Sequence, residues 1–227
     1  MKTARTLLIA FAVCAILLIG GRSLLPAALQ ALHPGVLYRV PDAGRTLYLT
    51  LDDGPSDATG AILDVLRKHQ TPATFFITTD HIRADLLSRI VAEEHQLANH
   101  LKATTSLSRL SEAQFEADFN AAEQALAPFP QVKLFRPPGG SISAERVDYI
   151  EARGYTVVAG TIFPLDHWFE NKTFIEVLAR ALAIEGGIII LHDTAARGPR
   201  TAEILDRLIP QLKSKGYRFA LLPTTRP

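Results

Sequence analysis

Seven short apolar stretches with β propensity alternate with segments of helical periodicity, and this alternation constrains the fold more than any other feature of the sequence. The predicted strands cover residues 47–51, 73–78, 96–99, 132–135, 155–159, 187–191 and 217–222. The predicted helices cover residues 58–69, 84–94, 111–126, 143–154, 173–184 and 201–215. This pattern indicates a parallel β/α architecture, either a barrel or an open doubly wound sheet.

Polar, titratable side chains follow the ends of several of these strands. They are Asp52, Asp53, His100, Arg136, Asp166, His192 and Asp193. Parallel strands deliver such residues to one end of the sheet, and β/α barrels build their active sites at that carboxyl-terminal face. We therefore predict an α/β fold of the barrel type, with a chemical site at its C-terminal mouth.

The composition limits the class of protein. The chain has 227 residues, which suits one domain of α/β-barrel size with an N-terminal extension. Its formal net charge of +1 does not indicate a nucleic-acid partner. Cys14 is the one cysteine, so an internal disulfide is impossible.

The N-terminus has the pattern of an export segment. Lys2 and Arg5 precede an uninterrupted apolar run over residues 7–21, and Arg22 follows it. The run is shorter than the ~20 residues of a comfortable spanning helix, so residues 1–25 are predicted as a signal anchor or a signal peptide. The leading charges favour export of everything downstream. We favour an uncleaved membrane anchor facing the periplasm or cell exterior. A cleaved, secreted form and a buried core helix are the alternatives.

Residues 26–44 are predicted as a linker and a lead-in strand, because Pro34-Gly35 and Pro41 punctuate them. The stretch that follows suggests a cation site. Asp52 and Asp53 come after a buried strand and before a Gly-Pro turn, where two like charges are costly without a compensating partner. A bound cation would compensate them, with one acid as ligand and the other left as a base. The alternative is an acidic turn without an ion.

Three further residues suit such a site. His100 with Asp53 forms a His/Asp pair of the kind that binds zinc. Arg136 stands in a loop stiffened by prolines and glycines, where it can clamp a carboxylate. His192 at the barrel mouth can donate a proton near neutral pH. The respective alternatives are a structural histidine, a surface arginine in an ordinary turn and a capping His–Asp pair.

Together these motifs resemble those of the NodB-type polysaccharide deacetylases, carbohydrate esterase family four. The family's TFDDGP motif is matched by residues 50–55, its Arg-x-Pro-x-Gly loop by residues 136–140, and its Leu-His-Asp motif by residues 191–193. Its motif of an Asp near a Trp is matched by Asp166 and Trp168. The resemblance covers a catalytic domain of residues 45–223 and implies a distorted seven-stranded (β/α) barrel.

One motif departs from the family pattern. In the motif His-Ser/Thr-x-x-His both histidines bind the metal, and here His100 is the first while Thr104 occupies the place of the second. A hydroxyl is a weak zinc ligand compared with an imidazole. The resemblance thus implies a divalent metal, zinc by preference, held by Asp53 and His100, with Thr104, a nearby serine or water completing the shell.

The resemblance implies hydrolysis of an N-acetyl group on an amino sugar. Asp52 would be the general base, oriented by Arg136. His192 would protonate the leaving amine, with Asp166 holding its imidazole. The metal and the backbone N–H of Gly139 would stabilise the oxyanion.

Candidate substrate contacts are Gly139, Trp168 and Leu191, and the glycan would be peptidoglycan or a chitin-like oligomer. The predicted partners are therefore this glycan and, through the N-terminal segment, a membrane. Two other functions stay open. One is a glycan-binding domain that has lost its metal and its catalysis. The other is a hydrolase of a different C–N amide bond on the same barrel.

Overall fold

The computed structural model describes residues 24–225, which form an eight-stranded sheet surrounded by helices. The strand order is β1-β6-β5-β4-β3-β2-β7, and β8 pairs with β2 beside the start of that strand. Neighbouring strands run parallel throughout this order. The strands are β1 Val36–Leu37, β2 Thr46–Gly54, β3 Thr74–Ile77, β4 Gln96–Asn99, β5 Gln131–Phe135, β6 Thr156–Val158, β7 Ile188–His192 and β8 Arg218–Ala220.

Of the helices, the first precedes β1, and each of the others fills a connection between two strands, as parallel pairing requires. They are α1 at residues 24–32, α2 Thr59–Lys68, α3 Ala84–Ala92, α4 Glu112–Leu126, α5 Ala144–Glu151, α6 Lys172–Leu182 and α7 Gly198–Ser214. Ser111 begins α4 with a capping box that includes Gln114, and the Ser143 side chain caps α5. Both serines stand at the predicted starts of their helices, where a serine oxygen accepts a hydrogen bond that the first helical turn leaves unmade.

The sheet closes irregularly into a barrel. The segment after β6 meets β7 through a parallel bridge between Ile162 and Ile189. The Ile162 amide donates to the Ile188 carbonyl over 3.0 Å, and the Ile190 amide donates to the Ile162 carbonyl over 3.0 Å. A bridge of this length in place of a full strand pair makes the barrel distorted. The predicted distorted (β/α) barrel is therefore confirmed, with the two-residue β1 as a strand beyond the seven expected.

Alternation along the strands sorts side chains between the barrel interior and the helix layer. On β2, Leu47, Leu49 and Leu51 pack against the helices in one core cluster, while Tyr48 packs inside the barrel. The interior cluster also includes Phe76, Ala98, Leu134, Val158 and Ile188 from the other strands. At a spacing of two, Tyr48 is followed by Thr50 and Asp52, and Leu134 is followed by Arg136, which contacts both. This spacing carries the inward face to the C-terminal mouth.

Two boundaries differ from the sequence prediction. Residues 24–32 are helical, whereas a linker was expected from residue 26, because Ala27, Ala28, Leu29, Gln30 and Ala31 are strong helix formers. Strand β2 continues to Gly54, beyond the predicted end at Leu51, because Asp52 pairs with Phe76 and His192 and Gly54 pairs with Ile77. The two carboxylates thus belong to the strand end itself.

The predicted export segment lies outside the described residues, except for residues 24 and 25. Within residues 24–225, none of the helices combines the length and the apolar character needed to cross a membrane.

Candidate active site

Asp52 and Arg136 form a buried ion pair at the barrel mouth. Asp52 follows the inward residues Tyr48 and Thr50, and Arg136 follows Leu134 by the same spacing of two. Arg136 Nη1 donates to Asp52 Oδ1 over 2.6 Å and to Thr50 Oγ1 over 2.7 Å, with Asp52 only 4% and Arg136 only 3% exposed. Burial lowers the pKa of Arg136, although the charge of Asp52 opposes this shift.

Further contacts fix the Arg136 guanidinium in one orientation. Nη2 donates to the Ala159 carbonyl over 3.0 Å, and the guanidinium carbon lies 4.1 Å above the centroid of the Phe76 ring. Thr50 Oγ1 in turn donates to the Ile189 carbonyl over 2.6 Å. These contacts fix the guanidinium, and the guanidinium in turn fixes Asp52 Oδ1. The other carboxylate oxygen, Oδ2, is then available to accept a proton.

Asp53 and His100 form a second pair beside the first. His100 Nε2 lies 3.3 Å from Asp53 Oδ1, and His100 Nδ1 lies 2.7 Å from the Arg136 carbonyl oxygen. A carbonyl only accepts, so Nδ1 carries a proton and Nε2 faces the Asp53 carboxylate. The short approach of Nε2 to Oδ1 can hold either a proton or a metal ion between the two atoms. Burial raises the pKa of Asp53, but contact with His100 and the nearby positive charges of His192 and Arg197 lower it on balance.

The backbone at Asp53 explains how adjacent acids reach the same mouth. Successive strand residues normally point to opposite faces. Asp53 has a φ of 69°, and the pairing of β2 with β3 shifts register between Asp52 and Gly54. Thr78 Oγ1 donates to the Asp53 carbonyl over 3.1 Å and supports this turn. The local left-handed backbone thus brings the Asp53 carboxylate to His100.

His192 and Asp166 form a third pair. His192 Nδ1 lies 2.9 Å from both carboxylate oxygens of Asp166, and the His192 amide donates to Asp166 Oδ2 over 3.0 Å. Burial alone would lower the pKa of His192, but the hydrogen bond and charge of Asp166, with the charges of Asp52 and Asp53, raise it on balance. Asp166 therefore favours the protonated form of the imidazole and leaves Nε2 on the side of the ring away from Asp166.

Asp193 supports the site from below. Its oxygens accept hydrogen bonds from Ser56 Oγ over 2.7 Å and from Thr59 Oγ1 over 2.6 Å, and its amide donates to the Asp52 carbonyl over 2.8 Å. Burial raises the pKa of Asp193. A Cβ on Gly54 would lie 2.7 Å from Asp193 Oδ2, so only glycine fits there. Asp193 thereby stabilises the turn that follows Asp52 and Asp53.

The remaining predicted site residues lie at different distances from this centre. Gly139 stands at the exposed tip of its loop with a φ of 77°. Thr104 is exposed on the loop after β4, and Trp168 is 72% exposed next to Asp166 and His167. Leu191 is fully buried in the outer core cluster, so the structure does not bring it to the mouth. The predicted roles of all four remain predictions.

Two residues at the centre were missed in the sequence. Thr50 is a polar residue within an apolar strand, and this pattern could have predicted that its hydroxyl makes a buried polar contact. His167 follows Asp166 directly, and its ring centroid lies 5.6 Å from that of His192. Ligand-type atoms of Asp166, His167 and His192 all lie within 4.8 Å of one another. Their grouping depends on the conformation of the 163–170 loop, which the sequence pattern does not give.

The donor set at the mouth fits a divalent metal. Asp53 supplies a carboxylate oxygen and His100 an imidazole nitrogen, and the Arg136 carbonyl fixes the tautomer of His100 through its other nitrogen. An outer hydrogen bond of this kind is typical of metal-binding histidines. The neighbouring Asp52 and His192 are oriented by Arg136 and Asp166 and are not needed as metal ligands, so both can take part in proton transfer.

Comparison with known proteins agrees with this geometry. The family model described as polysaccharide deacetylase matches residues 39–158. The chain is 32% identical over 209 residues to a chitooligosaccharide deacetylase of Sinorhizobium fredii, covering 82% of this chain and 96% of the relative. It is 28% identical over 190 residues to a peptidoglycan-N-acetylglucosamine deacetylase of Bacillus cereus, covering 81% of this chain and 89% of the relative.

A solved structure of a peptidoglycan N-acetylglucosamine deacetylase superposes on the chain with a TM-score of 0.79 at 26% identity, covering 84% of this chain and 92% of the other. The chain belongs to the polysaccharide deacetylase family. Within that family it is a carbohydrate N-deacetylase, a hydrolase that acts on a carbon–nitrogen bond other than a peptide bond.

Proposed function

We propose that this protein removes N-acetyl groups from the amino sugars of a cell-envelope polysaccharide, with zinc as its metal. One observation carries the proposal: three residue pairs meet at one barrel mouth. The pair Asp52–Arg136 holds the proposed base and the pair His192–Asp166 holds the proposed acid. Between them lies the pair of proposed metal ligands, Asp53–His100. Peptidoglycan and chitin-type oligomers are the candidate polymers, since relatives that share most of this chain are named for them.

The spacing of the ligand pair supports zinc. Ligand atoms each ~2.0–2.1 Å from a tetrahedral zinc ion are themselves about 3.3 Å apart. Asp53 Oδ1 and His100 Nε2 are 3.3 Å apart. When bound, the metal would polarise the acetyl carbonyl and lower the pKa of the attacking water. Thr104 stands where a third protein ligand is expected, so water would complete the shell.

The chain's own residues supply the proton transfers. Asp52, with one oxygen fixed by Arg136, accepts the proton of the attacking water through the other. His192, whose protonated form Asp166 favours, delivers a proton from Nε2 to the departing amine. The Gly139 amide, at the exposed loop tip, is the proposed backbone donor to the developing oxyanion. Base and acid therefore act from two different strands on the same amide bond.

Export to the cell envelope is part of the proposal. Its support is the charged and then apolar pattern of residues 1–22, with Lys2 and Arg5 ahead of the apolar run. A fusion of residues 1–45 to alkaline phosphatase, which folds only outside the cytoplasm, tests it. We expect phosphatase activity in cells that carry the fusion. Replacing Leu17 and Leu18 with arginine should abolish that activity. Equal activity without the segment would contradict export.

The deacetylase proposal is tested by acetate release from N-acetylglucosamine oligomers, with and without added zinc, together with elemental analysis of the purified protein. About one zinc per chain and zinc-dependent release are expected. Asp52→Asn should abolish release, while Asp57→Asn, a matched change at an exposed acid five residues away, should preserve it. Glycan binding without metal or release would instead identify a lapsed enzyme that binds sugars. Release from simple amides alone would identify a different amide hydrolase.

A further inference from the structure

An open cavity of about 490 Å³ adjoins the acid half of the site, and two arginines line it. The lining includes Arg197 and Arg200 together with Trp168, His167 and Glu170. Asp166 belongs both to this cavity and to the His192 pair, so the cavity begins directly beside the proton donor. Its size suits one sugar ring with a substituent.

Neither arginine forms an ion pair in the described part of the chain, and the charge of Arg197 acts on Asp53 only through space. Arg200 Nη2 donates to the Asp166 backbone carbonyl over 2.9 Å, while Arg200 Nε is buried without a hydrogen-bond partner among residues 24–225. Ion pairs elsewhere engage the guanidinium groups of Arg67, Arg83, Arg89, Arg136, Arg146 and Arg207. Glu170 lines the same cavity but forms no ion pair with either arginine within that range.

The position of the arginines in the fold adds to this positive charge. Arg197 is the N-cap residue of α7 and Arg200 lies in its first turn, which contains no acidic residue. A helix N-terminus carries a partial positive charge, so cations there are unfavourable and anions are stabilised. Two arginines beside that terminus cost free energy in the free protein, and a bound anion would offset the cost.

We propose that this cavity binds a carboxylate on the sugar next to the one that loses its acetyl group, so that the preferred substrate is an acidic glycan; this inference rests on the proposed function. The planar guanidinium groups match a carboxylate. The exposed Trp168 ring offers an apolar face for the sugar. Asp166 and Glu170 at the same rim repel a dianionic phosphate more than a singly charged carboxylate.

The test compares three N-acetylated glycans of equal length. One is a neutral N-acetylglucosamine oligomer. The second alternates that sugar with a carboxylate-bearing amino sugar, and the third is the second with its carboxylates reduced to alcohols. The readout is the ratio of kcat/KM for acidic over neutral glycan, measured within each protein variant. A ratio cancels any general damage that a substitution does to catalysis or folding.

For the unmodified protein we expect a ratio of about ten or more, since a charge-assisted hydrogen bond is roughly twice as strong as a neutral one. Reduction of the carboxylates should bring the ratio near one. Arg197→Gln and Arg200→Gln should each lower it, and Arg197→Lys should retain part of it. Arg153→Gln, at an exposed arginine in the turn after α5, is the matched control and should leave the ratio unchanged.

Three outcomes would overturn the inference while leaving the deacetylase intact. They are a ratio near one in the unmodified protein, a ratio unaffected by either glutamine substitution, and a ratio that survives carboxylate reduction. If none of the glycans releases acetate, the proposed function fails. Calorimetry then decides the inference alone: tighter binding of the acidic glycan that depends on Arg197 supports it, and equal binding of all three glycans overturns it.

Discussion

Arg136 Nη1 and Asp52 Oδ1 lie 2.6 Å apart inside the barrel, and the Arg136 guanidinium stacks on Phe76 while it donates to Thr50. Asp52 is thus oriented by a cation that is itself fixed on several sides. A buried ion pair contributes little net stability against an apolar replacement, but removal of one partner leaves an uncompensated charge. The pair therefore serves the position of Asp52 more than the stability of the barrel.

Arg136→Met should destabilise the protein by about 3–5 kcal/mol, because Asp52 then remains buried without its partner. Urea unfolding followed by circular dichroism measures this loss. The double variant Asp52→Asn with Arg136→Met should recover part of it, since the orphaned charge is gone. Strictly additive losses in the two single variants and the double variant would contradict the coupling. All three variants should lose acetate release.

The pH dependence of the reaction should report His192. Its pKa is raised on balance, so it stays protonated to higher pH than a free imidazole, and the rate should fall as pH rises through that raised value. Asp166→Asn removes the main group that raises the pKa. The alkaline limb of the kcat profile should then move to lower pH, and kcat should fall on the order of 10²-fold. Glu116→Gln, at an exposed acid on α4, serves as the control. An unmoved alkaline limb in Asp166→Asn would exclude His192 as the proton donor.

Mild acid should destabilise the protein through His95. Burial lowers the pKa of His95 to about 4, and its Nδ1 accepts a hydrogen bond from the Ala73 amide over 3.2 Å. Between pH 4 and 6.5 His95 is protonated in the unfolded chain but not in the folded chain. The free energy of unfolding is therefore at its full value above pH 6.5 and falls by about 2–3 kcal/mol as the pH drops to 4.

His95→Gln keeps an acceptor but cannot take up the proton, so it should remove that part of the acid loss. Thermal unfolding across this pH range measures the difference. His81→Gln, at an exposed histidine, should show the same acid loss as the unmodified protein. If His95→Gln also lost the same stability in acid, a group other than His95 would be responsible for the loss.

Thr104→His should strengthen metal binding. Partners outside the ligand shell change metal affinity by about 10–100-fold, so an added imidazole ligand should raise zinc affinity at least about tenfold. Competition with a chelator measures the change, and acetate release at limiting zinc should rise in parallel. Thr105→His, one position along the same exposed loop, is the matched control. Equal zinc affinity in all three proteins would show that position 104 does not face the metal.

The sequence predicted the barrel and its chemical end because both depend on local pattern. Strand alternation places Tyr48, Thr50 and Asp52 on one face, and parallel pairing carries that face to the mouth. Capping at Ser111 and Ser143 was equally local. The contacts Asp52–Arg136 and His192–Asp166 followed from the resemblance, which had already aligned those positions with roles.

What the sequence did not predict depends on loop conformation and distant packing. Closure of the sheet at Ile162 and Ile189 uses a single bridge with no strand-length signal. His167 reaches the centre only because its loop folds back on His192. The isolation of Arg200 Nε is a property of the packed surface, and no spacing of residues reveals it.

The contrast between Thr104 and the other site residues bears on how this family can diverge. Asp53 and His100 stand at the ends of paired strands, whereas Thr104 lies exposed on a loop. Substitutions at exposed loop positions are usually within about 0.5 kcal/mol of neutral for stability. Selection on folding therefore does not oppose a change of residue at position 104, and under the proposed metal role a single mutation there would alter how strongly the protein holds its metal.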